Sequence, residues 1–270
     1  MNILKFSYTR DHKQVYVFSS IIALMMTAFS LAGILFSHSV YPTEALRQTF
    51  LANDVVDLVI GMPILALSMW LAWRGRLIGL LLWPWALFYI VYDYIAYAFA
   101  MWATGWFLPY LILLALSLYT MVALISRMDS TAIRQRLSGH MWERFVAGVL
   151  IGFGVLFFLR GVGVVAGDLS NGTPLDQVSL ATTLADFLTT PVWVVGGIQL
   201  WRRRPFGYAT GLGLLFQASM LFVGLIIFMI LQPVLTTATF VLTDVIVIFV
   251  MGLVCFVPFF LAARNVARQG

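Results

Sequence analysis

Eight long apolar stretches occupy most of this sequence. Each is about 20 residues or longer, the length that an α-helix needs to cross the hydrocarbon core of a bilayer. They cover residues 15–36, 49–73, 77–102, 106–125, 145–165, 179–201, 208–231 and 240–263. A helix satisfies its backbone hydrogen bonds internally, as lipid requires. The sequence therefore predicts an all-α integral membrane protein with eight transmembrane helices.

The scarcity of charged residues supports this prediction. Only 10 % of the 270 residues are charged and 62 % are hydrophobic, whereas soluble domains have about 25 % charged residues. A soluble fold of this length would lack the polar surface that water requires. The lipid bilayer is therefore the first predicted partner.

Lysine and arginine are distributed unevenly between the segments that join the spans. Of the sixteen, all but Arg47 and Arg160 lie in the N-terminal tail, the second, fourth and sixth loops, or the C-terminal tail. Positive residues accumulate on the cytoplasmic side of membrane proteins. The pattern predicts a cell-membrane (inner or plasma membrane) protein with both termini cytoplasmic. Orientation also accounts for the net charge of +5, so no nucleic-acid partner is predicted.

A shift of 128 residues brings unusual residues of the two halves into register. The matching pairs are Pro63 and Pro191, Trp73 and Trp201, Arg74 and Arg202, Arg76 and Arg204, Gly79 and Gly207, and Phe88 and Phe216. Because four spans is an even number, the two repeats would have the same orientation. The sequence thus predicts a 4+4 parallel internal repeat, with residues 1–126 and 145–270 as the halves. Residues 127–144 would form a cytoplasmic amphipathic linker helix with Ile133, Leu137 and Met141 on its apolar face.

Ionisable residues inside the predicted spans cost about 2.5–3.5 kcal/mol each at a helix centre. They are Asp54, Asp57, Asp93, Arg160, Asp186 and, near a span end, Asp244. All fall in the outer halves of their spans, so contact between them is feasible. Arg160 requires a carboxylate partner, for which Asp57, Asp93 and Asp186 are the candidates. Asp54 and Asp244 are expected to reach water, and the other carboxyl groups must face water, bind a cation or stay protonated.

The third span adds a polar aromatic face. Tyr89, Asp93 and Tyr97 follow one another at four-residue spacing, which puts them on one stripe of a helix. Tyrosines near an interface are often only belt residues, but this stripe runs deeper and favours a cavity wall. Pro63 and Pro191 could free backbone carbonyls toward the same cavity.

These residues form a predicted outward-facing substrate site. Its members are Asp57, Asp93, Arg160, Asp186, Tyr89 and Tyr97. The leading hypothesis is a transporter or solute-binding protein whose ligand is a small solute or lipid. One alternative is a structural or sensory partner subunit in which the charges only hold helices together. Another is an intramembrane enzyme that acts on a lipid-type substrate with two aspartates as acid and base, but no catalytic motif supports it.

No residue pattern predicts a metal site or names a cofactor. The three histidines, His12, His38 and His140, lie near segment ends, which argues against paired haem ligands inside the bundle. The single cysteine, Cys255, excludes an internal disulfide. The cofactor and the oligomeric state stay open.

Two stretches resemble a scattered group of uncharacterised prokaryotic multi-span inner-membrane proteins. One is residues 54–97, with Asp-Val-Val-Asp, Pro63, Trp-Arg-Gly-Arg and the tyrosine-rich third span. The other begins at Asp186 and ends in Gly-Gly-Ile-Gln-Leu-Trp-Arg-Arg-Arg-Pro-Phe-Gly-Tyr. The resemblance implies a prokaryotic inner-membrane setting and carries no activity or functional residue.

Overall fold

The structure, a computed structural model, describes residues 10–139, 142–172 and 176–267. This part of the chain is helical, without strands. The helices are α1 (Arg10–Leu35), α2 (Ser37–Val40), α3 (Glu44–Val56), a π-helical turn (Asp57–Gly61), α4 (Met62–Trp73), α5 (Leu77–Ala100), α6 (Phe107–Ser126), α7 (Ser130–Leu137), α8 (Glu143–Asn171), α9 (Gln177–Trp201), α10 (Pro205–Leu235) and α11 (Leu242–Ala267).

Within the described residues, eight helical segments are long and apolar enough to cross a membrane. They are α1, α3 to α4 as one continuous span, α5, α6, α8, α9, α10 and α11. This confirms the prediction of an all-α chain with eight candidate spans, as in a multi-pass membrane protein. The main differences are at the ends, because the second span begins at Glu44 and the fifth continues to Asn171.

The third span, α5, is the central helix of the bundle. Of its most apolar stretch, 89 % is buried inside the protein, against 44 % or less in every other span. It packs against α4, α6, α9, α10 and α11. The first half of α10, residues 207–219, is buried in the same way. The other spans surround these two helices and expose many apolar side chains on their outer faces.

The two central helices cross closely at one glycine. A Cβ atom added to Gly213 of α10 would collide with the indole ring of Trp85 of α5. α8 and α9 also approach closely, since a Cβ at Gly197 would lie 3.0 Å from the carbonyl oxygen of Ala147. Small residues at such contacts let membrane helices pack by van der Waals contact.

A π-helical turn interrupts the second span between α3 and α4. The amide of Met62 donates to the carbonyl of Asp57, five residues earlier. Pro63 follows directly and has no N–H with which to continue an α-helical pattern. The wider turn lets the helix pass this proline without ending. Sequence reasoning expected freed carbonyls near Pro63 but did not predict a π turn, which is a feature often found at functional sites.

The turns that follow the second and sixth spans have the same backbone geometry. The amide of Arg76 donates to the carbonyl of Leu71, and the amide of Arg204 donates to that of Gln199, each at 3.0 Å. Both turns contain a left-handed residue, Gly75 in one and Arg203 in the other. In this conformation an arginine is strained where a glycine is not.

The predicted linker helix is present as α7, although it is shorter than residues 127–144. Asp129 caps it by accepting hydrogen bonds from the amides of Thr131 and Ala132, both at 3.0 Å. Ile133 and Leu137 are buried, and the helix packs against α10. Its apolar face therefore contacts protein, whereas we had expected the membrane surface. Met141 lies outside the described residues.

Candidate functional site

A cavity of about 240 Å³ lies between the helices of the first and second halves. Its lining side chains come from α3, α5, α8, α9 and α10: Thr49, Phe50, Asn53, Tyr89, Tyr92, Asp93, Ala96, Phe157, Thr182, Asp186, Thr189, Thr190, Trp193, Leu221, Phe222, Gly224, Leu225 and Phe228. Ala96 lies four residues before the end of α5, about 6 Å at 1.5 Å per residue. The cavity thus occupies the half of the bundle away from the arginine-rich turns at Arg74 and Arg202.

Two carboxyl groups that have no basic partner among the described residues adjoin the cavity. Asp93 lies in its wall, and Asp57 lies behind Asp93, close enough for their side chains to interact directly. Asp57 is fully buried, and neither of its carboxylate oxygens has a hydrogen-bond partner; Oδ2 of Asp93 also has none. The described ionisable side chains near Asp93 also include Tyr89, Tyr92 and Tyr94, which are phenols and bring no positive charge. Two adjacent carboxylates repel each other when both are ionised.

The other acidic side chain in the wall, Asp186, bonds to side chains of two further helices. Nη1 of Arg160 on α8 donates to Oδ2 of Asp186 on α9 at 3.0 Å. The hydroxyl of Tyr92 on α5 donates to Oδ1 of the same carboxylate at 3.1 Å. Asp186 is buried, whereas 61 % of the Arg160 side chain is exposed. Arg160 therefore forms an ion pair with Asp186 and does not line the cavity.

Asp54 belongs to a buried network with two tyrosines, which corrects the expectation that it reaches water. It is only 2 % exposed. The hydroxyl of Tyr97 donates to its Oδ1 at 2.9 Å, and the hydroxyl of Tyr41 donates to its Oδ2. Gly33 leaves the space that this carboxylate fills. Burial, followed by the negative charge of Asp54, raises the pKa of Tyr41, so this phenol stays a donor.

The predicted site residues therefore separate into three positions. Asp93, Asp186 and Tyr89 line the cavity, and Asp57 lies behind it. Tyr97 points elsewhere: it bonds to Asp54 and its ring packs on Phe50, Tyr94 and Tyr110. A four-residue step advances about 40° beyond a full helical turn, so Tyr97 is rotated away from the cavity that Tyr89 faces. Asp244 is exposed, as expected for a residue near a span end.

Sequence reasoning missed most of the wall that α9 contributes. Thr182, Asp186, Thr189 and Trp193 follow one another at spacings of four, three and four residues on this helix. This spacing puts them on one helix face, and all four line the cavity. The polar face of the sixth span was thus visible in the sequence. The aromatic residues from α8 and α10, by contrast, show no polar pattern.

One residue of the cavity wall, Trp193, is held by a buried hydrogen bond to Gln217 behind it. Nε1 of Trp193 donates to Oε1 of Gln217 at 2.6 Å, and both side chains are buried. The amide nitrogen of Gln217 has no hydrogen-bond partner. Among the described side chains, the hydrogen bonds that start at Trp193 therefore extend to Gln217 and no further.

In the part of the chain that the structure describes, no group of three or more histidine, cysteine or acidic residues could hold a metal ion. The side chain of His12 and the whole of His140 lie outside the described residues. No protein family, curated protein or solved structure matches this chain. The comparisons therefore do not support the resemblance to prokaryotic multi-span proteins with a family. The similarity to membrane proteins rests on the eight long apolar helices.

Proposed function

We propose that this protein binds a small solute in the cavity between its two halves and carries it across the membrane. The observation that carries the proposal is the cavity itself: about 240 Å³ of space lined by Asp93, Asp186 and several threonines inside an apolar bundle. It is smaller than the cavities of about 300–1,000 Å³ that hold drug-sized ligands. A solute of modest size would fit.

The carboxyl pair supports a ligand-binding role over a purely structural one. A structural charge inside a membrane is normally paired with an opposite charge or with hydrogen-bond donors. Asp54 has two tyrosine donors, and Asp186 has Arg160 and Tyr92. The Asp57 and Asp93 side chains repel rather than tie helices together when ionised. Their burial next to a cavity is explained if a proton or a cationic ligand occupies that position.

The same proposal includes a 4+4 parallel repeat, as in carriers whose site lies between two halves. The equivalent turns at Arg76 and Arg204 support it, because their hydrogen bonds match in the 128-residue register. Trp85 and Gly213, which cross at the bundle centre, differ by the same 128 residues. Around a twofold axis, a residue on the axis meets its own counterpart. This axis would run along the membrane normal and pass beside the cavity.

The orientation of the site follows from the distribution of basic residues. The turns at Arg74 and Arg202, the α7 linker and the C-terminal end of α11 carry most of the described arginines. If these lie in the cytoplasm, in agreement with the positive-inside rule, both termini are cytoplasmic and the cavity opens outward. A prokaryotic inner membrane is the setting we propose.

One observation favours the structural or sensory alternative. Arg160 is mostly exposed and ties α8 to α9, so this ion pair could serve helix association alone. In that case the cavity would hold no solute, and a bulky side chain placed in the cavity would not change the binding of any ligand. The two hypotheses therefore differ in whether the cavity holds a solute: the exposed ion pair favours the structural role, and the Asp57–Asp93 pair favours the ligand-binding role.

Native mass spectrometry in a mild detergent tests the proposal. The wild-type protein is compared with Ala96→Trp, which fills the cavity, and with Ala115→Trp, the same substitution at an exposed position of α6. We expect a retained small molecule in the wild type and in Ala115→Trp, and its loss in Ala96→Trp. The proposal is wrong if the same adduct persists in Ala96→Trp.

Cysteine labelling provides a second measurement that does not depend on a retained solute. Thr49→Cys on α3 and Thr182→Cys on α9 place thiols in the cavity wall, and Ala115→Cys places one on the exposed face of α6. The native Cys255 is buried. We expect a water-soluble maleimide to label both wall cysteines and to spare Ala115→Cys. Unlabelled wall cysteines would contradict a water-accessible cavity.

A further inference from the structure

We propose that the solute is a protonated amine attached to a flat apolar body, with its ammonium group against Asp93. This inference rests on the proposed function and specifies the ligand class. Three features carry it: the unbalanced negative charge of the wall, the aromatic side chains around it, and the buried second carboxyl group behind Asp93.

The charge of the cavity is negative. No lysine or arginine is among the described residues that line it. Arg160 neutralises Asp186 through a 3.0 Å contact. Asp93 and Asp57 have no comparable basic partner, and three of their four oxygens lack any hydrogen-bond donor. An anionic solute would add to this repulsion, whereas an ammonium group would offset it and supply a hydrogen-bond donor to Asp93.

The apolar wall suits a cation with a flat body. Trp193, Phe157 and Phe222 form a cluster in which the ring of Phe157 lies 6.2 Å from that of Trp193 and 6.0 Å from that of Phe222. Phe50 and Phe228 also line the cavity. Aromatic faces attract cations, most strongly when water is excluded. They also pack against flat apolar groups.

The second carboxyl group would couple the amine to a proton. In the empty site Asp57 and Asp93 would share one proton, and arrival of the ammonium group would release it to solvent, so the charge of the site is conserved. The described ionisable groups around the pair on the elements packed against it are Asp54 on α3, Tyr89, Tyr92, Tyr94 and Tyr97 on α5, Tyr110 on α6, and the Arg160–Asp186 pair of α8 and α9. α10 has no charged residue. Only the Arg160–Asp186 pair brings a positive charge, and that charge is already matched.

Isothermal titration calorimetry with three probes of similar shape tests the ligand class. The probes are 2-phenylethylamine, 2-phenylethanol and phenylacetate, which are cationic, neutral and anionic at pH 7. We expect the amine to bind the wild type at least about tenfold more tightly than the other two. The inference is overturned if the alcohol or the acid binds as well as the amine.

Two variants test which carboxyl group binds the amine and which one is needed for proton release. Asp93→Asn should weaken amine binding at least about thirtyfold, the lower end for removing one partner of a buried charge pair, and Asp244→Asn, at an exposed carboxylate, should leave it unchanged. In Asp57→Asn, the number of protons released per amine bound should fall to zero, measured by repeating the titration in buffers of different ionisation enthalpy. Proton release that persists in Asp57→Asn would refute the coupling.

The design separates this inference from the proposed function. If phenylacetate or the alcohol binds best and Ala96→Trp abolishes that binding, the solute site stands and the amine assignment is wrong. If the amine binds equally to the wild type and to Ala96→Trp, it does not bind in the cavity, and the amine assignment is again wrong. If no probe binds and the wall cysteines are unlabelled, both proposals fail.

Discussion

The ion pair between Arg160 and Asp186 should respond unequally to the loss of its two partners. In Arg160→Leu, the carboxyl group of Asp186 can take up a proton and keep its 3.1 Å contact with Tyr92. In Asp186→Asn, the guanidinium stays charged because arginine is not deprotonated in proteins. That charge would lie within a span without a carboxylate. We therefore expect Asp186→Asn to destabilise the protein more than Arg160→Leu.

The exposure of Arg160 determines the magnitude of this effect. Breaking a fully buried ion pair costs about 3–5 kcal/mol, but 61 % of this arginine side chain is exposed. Measured hydrogen-bond couplings between membrane helices average about 0.6 kcal/mol and reach about 1.7 kcal/mol. We expect losses of about 1 kcal/mol for Arg160→Leu and about 2–3 kcal/mol for Asp186→Asn, with a coupling energy of about 1 kcal/mol.

A double-mutant cycle in mixed micelles measures this coupling. The free energy of unfolding is determined by titration with a denaturing detergent for the wild type, both single variants and the double variant. Arg264→Leu, at an exposed arginine near the end of α11, is the control for loss of a positive charge. Two results would refute the reasoning: single effects that add within about 0.3 kcal/mol, or a larger loss for Arg160→Leu than for Asp186→Asn.

Three further predictions concern the backbone and the helix ends. Arg203 has φ +52°, so Arg203→Gly should raise the free energy of unfolding by about 1 kcal/mol; a decrease would contradict the strain. Gly213→Ala would place a Cβ atom against Trp85 and should lower the free energy of unfolding by about 1–3 kcal/mol. The control Gly163→Ala has open space at its Cβ and should change that free energy by less than about 0.5 kcal/mol. Equal effects of the two substitutions would contradict the close contact between α5 and α10 at Gly213. Hydrogen bonds from a serine hydroxyl and two backbone amides lower the pKa of Asp176, so Asp176→Ala should cost about 1 kcal/mol at pH 7. The stability difference between the wild type and Asp176→Ala should be complete above about pH 4 and vanish as the pH falls through the lowered pKa, because only the ionised carboxylate stabilises the protein. A stability difference that does not depend on pH would contradict the capping role of the ionised Asp176. Thermal unfolding in detergent measures all three.

The candidate site was only partly predictable from the sequence. Asp93, Asp186 and Tyr89 were identified because ionisable groups within apolar stretches are conspicuous. The sequence did not predict that only these three of the predicted site residues line the cavity, or that Asp54 instead bonds to two tyrosines. The choice depends on the rotation of each helix about its axis, and a rotation of one residue turns a side chain by about 100°.

The eight candidate spans and the uneven distribution of arginine follow from the sequence alone, because span length and loop charge are local properties of the chain. Only the tertiary structure decided which carboxylate pairs with Arg160, which span lies at the centre and which residues line the cavity. Three aspartates were equal candidates in the sequence, and all eight spans are similarly apolar. Lipid and protein interior are alike in polarity, so hydrophobicity cannot distinguish a helix that faces other helices from one that faces the membrane. Close contacts such as Trp85 with Gly213 make that distinction, and they exist only once the helices have packed.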